Sequence, residues 1–263
     1  MSYDRDAWTL GEEVYGIGSW REYLASVSNV KPMEISPLDP RRTALVIVDV
    51  QRKMADRSLA GRVLPADPRQ ANRENVRADR IENMVLPNIK KLLSFFRAHK
   101  LAVLHFAAGP QLPDAEDLPL TYRLLLMPGI KARGSTVHWG SPEFEFMPEL
   151  EPLEGEFVIR KRTRSGFIHS DAARLLNSIG VTDLVFVGGA TEACVESSAR
   201  DAADCNFKVV VVEDAVIPTT ALNQDATMIS IACFFGGVMR TDEVVAEVGA
   251  TVPEESKVAS AGR

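Results

Sequence analysis

Apolar residues gather along this chain in short runs bounded by turn-forming or charged residues: ALVIVDV (44–50), LAVLHFA (101–107), EFVIR (156–160), DLVFVGG (183–189) and KVVVVEDA (208–215). The runs are rich in β-branched residues, and several are apolar at consecutive positions. Both faces of such strands are expected to be buried, as in a parallel sheet. Between the runs a helical period shows. Over 81–98, Ile81, Met84, Val85, Ile89, Leu92, Leu93 and Phe96 fall on one face, and Pro87 puts the start of the regular helix near itself. Further helices are predicted at 171–179, closed by Gly180, at 194–205 and at 220–235, after which FFGGV supplies another short strand. Strand and helix alternating at this length predict a right-handed, three-layer α/β/α sheet.

Two segments break the rhythm. Residues 51–80 are polar and Arg-rich, and 108–155 are rich in Pro, Gly and acidic residues. Both follow strand ends, where open α/β sheets place ligand-contacting loops. Residues 1–40 mix charges, aromatics and glycine, and read as an arm on the surface or on a neighbouring subunit. A single domain over 41–250 and a frayed tail over 251–263 complete the expected organisation.

Composition narrows the function. The chain has 263 residues, 46% hydrophobic and 25% charged, enough for one sizeable core. Its net charge of −6, with Lys and Arg spread along the chain, argues against nucleic acid as a partner. No apolar run reaches the roughly 20 residues that span a bilayer, and the start MSYDRDAW does not resemble a signal peptide, so a cytoplasmic protein without a membrane partner is expected. The cysteines, Cys194, Cys205 and Cys233, are odd in number and lack C-x-x-C spacing, which predicts free thiols.

Three strand ends carry candidate chemistry. Asp49 is an acid that follows an apolar strand, where a buried carboxylate costs several kcal/mol unless it is paired or functional. Cys194 follows Gly188, Gly189, Ala190 and Ala193 at an expected helix start. There, unpaired N–H groups would lower a thiol pKa from about 8.5 and hold an oxyanion. From position alone, a packed small thiol and a nucleophile are equally good readings of Cys194. Lys161 sits in the basic cluster Arg160, Lys161, Arg162 and Arg164, and spacing alone does not single it out.

The blocks ALVIVDVQ, RKRTRSGF and GGATEACVESSARDAADCNFKVVVVEDA resemble, in order, the three signature blocks of the isochorismatase-like, or cysteine hydrolase, superfamily over roughly residues 42–245. The resemblance implies a six-stranded parallel sheet flanked by helices and a catalytic triad of Asp49, Lys161 and Cys194. It also implies a cis peptide between Gly189 and Ala190, with the N–H groups of Ala190 and Cys194 forming an oxyanion hole. Gln51, Met54, His105 and Arg164 are the candidate substrate contacts. Met54 stands where the family often has an aromatic, and Glu192 replaces the common Asn or Asp. His105 reads equally as a packed residue, and Arg164 equally as half of a surface ion pair. Metal-binding relatives resembling nicotinamidases carry further histidines where this chain reads LHFAAGPQLPD, so neither metal nor cofactor is expected.

The expected reaction is hydrolysis of a C–N bond in a small linear amide, ureido or N-carbamoyl compound, as in the ureidoacrylate and N-carbamoyl amidohydrolases that SGF and FFGGV resemble. The alternatives are vinyl-ether hydrolysis of the isochorismatase type and a catalytically silent binding protein on the same fold. The resemblance further implies a homodimer or homotetramer, for which the aromatic arm with Trp8, Tyr15, Trp20 and Tyr23 offers apolar surface.

Overall fold

The computed structural model describes residues 19–27, 30–58 and 68–251. Strands β1 (Thr43–Val48), β2 (Ala102–Ala108), β3 (Phe157–Lys161), β4 (Asp183–Gly189), β5 (Lys208–Ile217) and β6 (Gly237–Met239) form one sheet in the order β3-β2-β1-β4-β5-β6. Every pairing is parallel. Every residue of the central strands β1 and β4 is buried, which is why their sequences are apolar at consecutive positions. Strand β3 lies at the edge, so Val158 and Arg160 face outward while Phe157 and Ile159 pack inward.

Alternation along β1 sorts the core into two layers. Val46 and Val48 point to one layer with Leu104, Phe106 and Phe186, under helices α1 (Ser19–Ser26), α6 (Ala172–Ser178), α7 (Glu196–Asp204) and α8 (Ala221–Phe234). Leu45 and Ile47 point to the other with Val103, Val185 and Val187, under α4 (Leu86–Ala98) and α9 (Thr241–Thr251). The three-layer α/β/α sheet is therefore the observed architecture.

The polar segments hold more helix than their composition suggests. Within 51–80, α2 (Arg52–Ala55) is followed by α3 (Pro68–Arg80), which runs through a π-helical turn, Ile81–Val85, into α4. Pro87 does lie in the first turn of α4, where its missing N–H is harmless, but the chain before it is already helical. The Pro- and Gly-containing stretch 108–155 holds α5 (Leu120–Arg133), with Pro128 inside it. Helix α9 also went unpredicted. Its buried Val244 and Val248 are only one apolar pair four residues apart.

The arm needs correction where it is described. Trp8 and Tyr15 lie outside the described residues, as does the tail from 252 on, but α1 belongs to this subunit's own core. Trp20 and Leu24 are buried in it, and Trp20 Nε1 donates to Glu213 Oε2 at 2.8 Å. Trp20 is thus not surface for a partner. Among the described residues no helix is long and apolar enough to cross a membrane.

Candidate active site

The ends of β1, β3 and β4 present the three groups. Asp49 leaves β1 with φ 53°, a left-handed conformation that Asp tolerates better than bulky residues. Its N–H still donates to Phe106 O on β2 at 3.0 Å, and its carbonyl accepts from Gln51 N at 2.8 Å. Lys161 ends β3, and its carbonyl accepts from Gly109 N at 3.1 Å. After β4 the chain turns sharply. Gly188 has φ 103°, and a Cβ there would lie 2.2 Å from Val48 O, so only glycine fits. The Gly189–Ala190 peptide is cis. Ala190 O then accepts from Ala193 N and Val195 N, each at 3.1 Å, closing the turn that carries Cys194 into α7.

Lys161 Nζ lies 2.8 Å from Asp49 Oδ2, and both side chains are 1% exposed. The ammonium also donates to Thr163 O at 3.0 Å and Arg164 O at 2.7 Å. The loop supplying those carbonyls is tied to the cysteine: Gly166 N donates to Ser198 Oγ, which donates to Cys194 O at 2.6 Å. Burial alone would lower the Lys161 pKa, but the Asp49 charge, with Cys194, holds it above its ordinary value. For Cys194, burial first and then the Asp49 carboxylate push the thiol up to about 12, against the pull of Lys161. This reverses the expectation from a helix start, because desolvation and a neighbouring anion outweigh the dipole. The resting site therefore holds a neutral thiol beside an ion pair.

Two neighbours of this group were missed in the sequence. Lys53, on α2, donates from Nζ to Ala108 O and lies 5.5 Å from the centre of the Phe144 ring. Burial pushes its pKa down to about 8, with Asp49 opposing and Lys161 adding to the fall. Tyr122, on α5, is held well above the ordinary phenol range by burial first, then by Cys194 and Asp49. Lys53 had a signal, since it follows Asp49 by four positions, whereas Tyr122 comes from a segment with no local signature.

The expected substrate contacts divide. Met54 is at the rim: a Cβ built on Gly189 would meet its Sδ at 2.7 Å. Gln51 is fully buried and clamps two segments, with Nε2 donating to Phe144 O at 2.6 Å and Oε1 accepting from Ala108 N at 3.0 Å. Both ends of its amide are thereby committed to the scaffold. His105 lies three residues below the end of β2, about 10 Å down the strand. It packs edge-on against Phe146 and sits 3.1 Å from Glu156 Oε2, in the interior rather than at the rim. Arg164 stacks its guanidinium over the Tyr122 ring at 5.2 Å and donates to Thr121 Oγ1 at 3.3 Å, so it meets α5 rather than an exposed carboxylate. No cluster of three or more His, Cys, Asp or Glu that could hold a metal occurs among the described residues.

Known proteins resemble this chain over most of its length. Ureidoacrylate amidohydrolase RutB of Rhizobium rhizogenes is 30% identical over 233 residues, covering 83% of this chain and 88% of that protein. RutB of Serratia proteamaculans is 30% identical over 216 residues, covering 77% and 81%. Among solved structures, a cysteine hydrolase from Pseudomonas syringae pv. phaseolicola shares the fold, with a TM-score of 0.68 at 24% identity, over 84% of this chain and 99% of that one. N-carbamoylsarcosine amidase from Thermoplasma acidophilum has a TM-score of 0.56 at 25% identity, over 76% and 97%. The family model described as the Isochorismatase domain matches residues 43–243. That match runs from the first residue of β1 into α9 and takes in all six strands and the three rim groups, so this chain belongs to the isochorismatase family.

Proposed function

We propose that this protein is a cysteine-dependent amidohydrolase that cleaves the C–N bond of a small linear amide, ureido or N-carbamoyl compound through a thioester. Hydrolysis of carbon–nitrogen bonds is supported by the relatives, which include ureidoacrylate amidohydrolases and an N-carbamoylsarcosine amidase. The observation that carries the mechanism is the burial of Asp49 and Lys161 as an ion pair against the Cys194 thiol. Removing one partner of such a pair is costly, and the pair by itself adds little stability, which favours a chemical role over a silent scaffold.

The chemistry follows from the protonation states. Asp49 is the base that takes the thiol proton as Cys194 attacks the substrate carbonyl. The negative charge then passes from sulfur to the carbonyl oxygen, which the N–H groups of Ala190 and Cys194 receive. Lys161 stays charged throughout and stabilises whichever neighbour is anionic. Protonated Asp49 returns its proton to the departing nitrogen, and the same carboxylate activates the water that hydrolyses the thioester.

Ammonia release measured across ureido acids, biuret, maleamate and nicotinamide tests this reading. Turnover of at least one ureido or linear amide is expected. Cys194→Ala and Cys194→Ser should lower it by at least about 10³-fold, while Cys205→Ala and Cys233→Ala retain it. Activity surviving in Cys194→Ala would refute the assignment.

A further inference from the structure

We propose that Lys53 is a substrate-binding residue that selects an anionic compound, its ammonium receiving a carboxylate of the substrate beside the reacting amide. This rests on the amidohydrolase reading and names the substrate class within it.

The first support is position. Lys53 Nζ donates to Ala108 O at the end of β2, and Ala108 is the register partner of Lys161. Two ammonium groups thus converge on one strand end at the rim that carries Asp49 and Cys194. Helix α2 is held in place there: Gln51 anchors its start, Arg52 N donates to Glu145 O at 2.8 Å, and Met54 packs under Gly189. The ammonium is therefore preorganised, which lowers the entropy lost on binding a ligand.

The second support is unused donor capacity. Among the described residues Ala108 O is the one hydrogen-bond acceptor of Lys53 Nζ, and no carboxylate lies within ion-pair distance of it. An ammonium has three N–H donors, so two remain for a ligand. The Phe144 ring shields another side of the group.

The third support is the balance of charge. The groups facing Lys53 are Asp49 after β1, Lys161 on β3 and Cys194 after β4. Asp49 is matched by Lys161 at 2.8 Å, which leaves Lys53 as one uncompensated cation. Moving the Cys194 proton to Asp49 redistributes charge within the site without changing the total. The excess of one positive charge therefore persists through thiolate formation. A half-buried cation without a carboxylate partner is costly, and loss of solvent accordingly pushes Lys53 down to about 8. A substrate monoanion supplies the missing charge.

The test uses Cys194→Ala, which binds substrate without turning it over, alone and combined with Lys53→Met. Calorimetry at pH 7 gives dissociation constants for ureidoacrylate and for its methyl ester. In Cys194→Ala the acid is expected to bind at least about tenfold tighter than the ester. Adding Lys53→Met should remove at least about tenfold from the acid's affinity and far less from the ester's. With Lys53 present, the acid's affinity should fall as the pH rises beyond about 8 and the ammonium loses its proton. Equal losses for both ligands, a preference for acid that survives Lys53→Met, or binding of neither ligand overturns the proposal. If the double variant does not fold, as read by its melting curve, the pH series decides alone, and a flat acid affinity from pH 7 to well above 8 overturns it. The amidohydrolase reading fails on a different result, namely no ammonia from any panel compound with the wild-type protein, even where the binding preference holds.

Discussion

Asp49 and Glu213 are both carboxylates of the same sheet, 1% and 0% exposed, and each faces a cation. Their surroundings differ. Glu213, on β5, accepts from Trp20 Nε1, from Arg21 and from Arg240, so its oxygens are hydrogen-bonded on α1 and beyond β6. Asp49 instead meets the Lys161 ammonium at 2.8 Å and the Cys194 thiol, both hydrogen-bonding neighbours at the same rim. A carboxylate held only by indole and guanidinium donors ties elements together, whereas one that also faces a thiol has a proton within reach. Burial does not separate the two cases; the kind of hydrogen-bond donor each carboxylate meets does.

The comparison breaks most visibly by substitution. Asp49→Asn should lower kcat/KM by about 10³-fold, with some loss of stability because Lys161 is left unpaired. Glu213→Gln should cost about 1–3 kcal/mol of stability while kcat/KM stays within about threefold. Melting curves and ammonia-release kinetics on both variants read this directly. Comparable activity losses would mean that Glu213 acts on the rim and that the distinction is false.

A third carboxylate sharpens the rule. Burial by itself would raise the Glu156 pKa, but Arg97 at 2.7 and 2.9 Å, the Leu153 N–H and His105 hold it down at about 2. Its folded pKa is below its ordinary 4.5, so between those values the unfolded chain binds the extra proton. The stabilisation is then fully present above about 4.5 and lost as the pH falls toward 2. Glu156→Gln should lower stability at pH 7 by on the order of 3 kcal/mol, and the difference from wild type should close in acid. A difference that stays constant down to pH 2 would assign the effect to packing.

The smallest expected change is at Arg164. Its carbonyl, not its guanidinium, holds Lys161, and the guanidinium is engaged with Tyr122 and Thr121. Arg164→Lys should therefore alter KM for an anionic ureido compound that the protein turns over by less than about threefold. A rise of tenfold or more, absent for its methyl ester, would place the guanidinium on the substrate.

What could be read from the sequence follows the range of the forces involved. Strands β1, β4 and β5 were legible because burial on both faces writes itself into consecutive residues. Helix α3 was not, since its sequence, PRQANRENVRADR, shows no apolar stripe. Asp49 was legible as an acid ending an apolar run, but Lys161 looked like its basic neighbours until the resemblance singled it out. The position of Cys194 was legible, yet its ionisation was not, because burial by the tertiary packing sets it first, and then Asp49 and Lys161, more than thirty residues away in the chain. The scaffold contacts of Gln51 and His105 were not legible for the same reason: their partners, Phe144 and Glu156, arrive from a distant loop and the start of an edge strand.

The strand order also sets a length. Strand β2 lies between β1 and β3, so Lys161 and Asp49 depart from backbones two strand spacings apart, about 10 Å. Their side chains meet only by bridging the end of β2. That end is built low, from Ala107, Ala108 and Gly109, and the arm thrown across it is the long, flexible stem of a lysine. A redesign of this rim that keeps the strand order inherits the same gap, and at position 161 it has to choose a side chain by reach before it can choose one by charge.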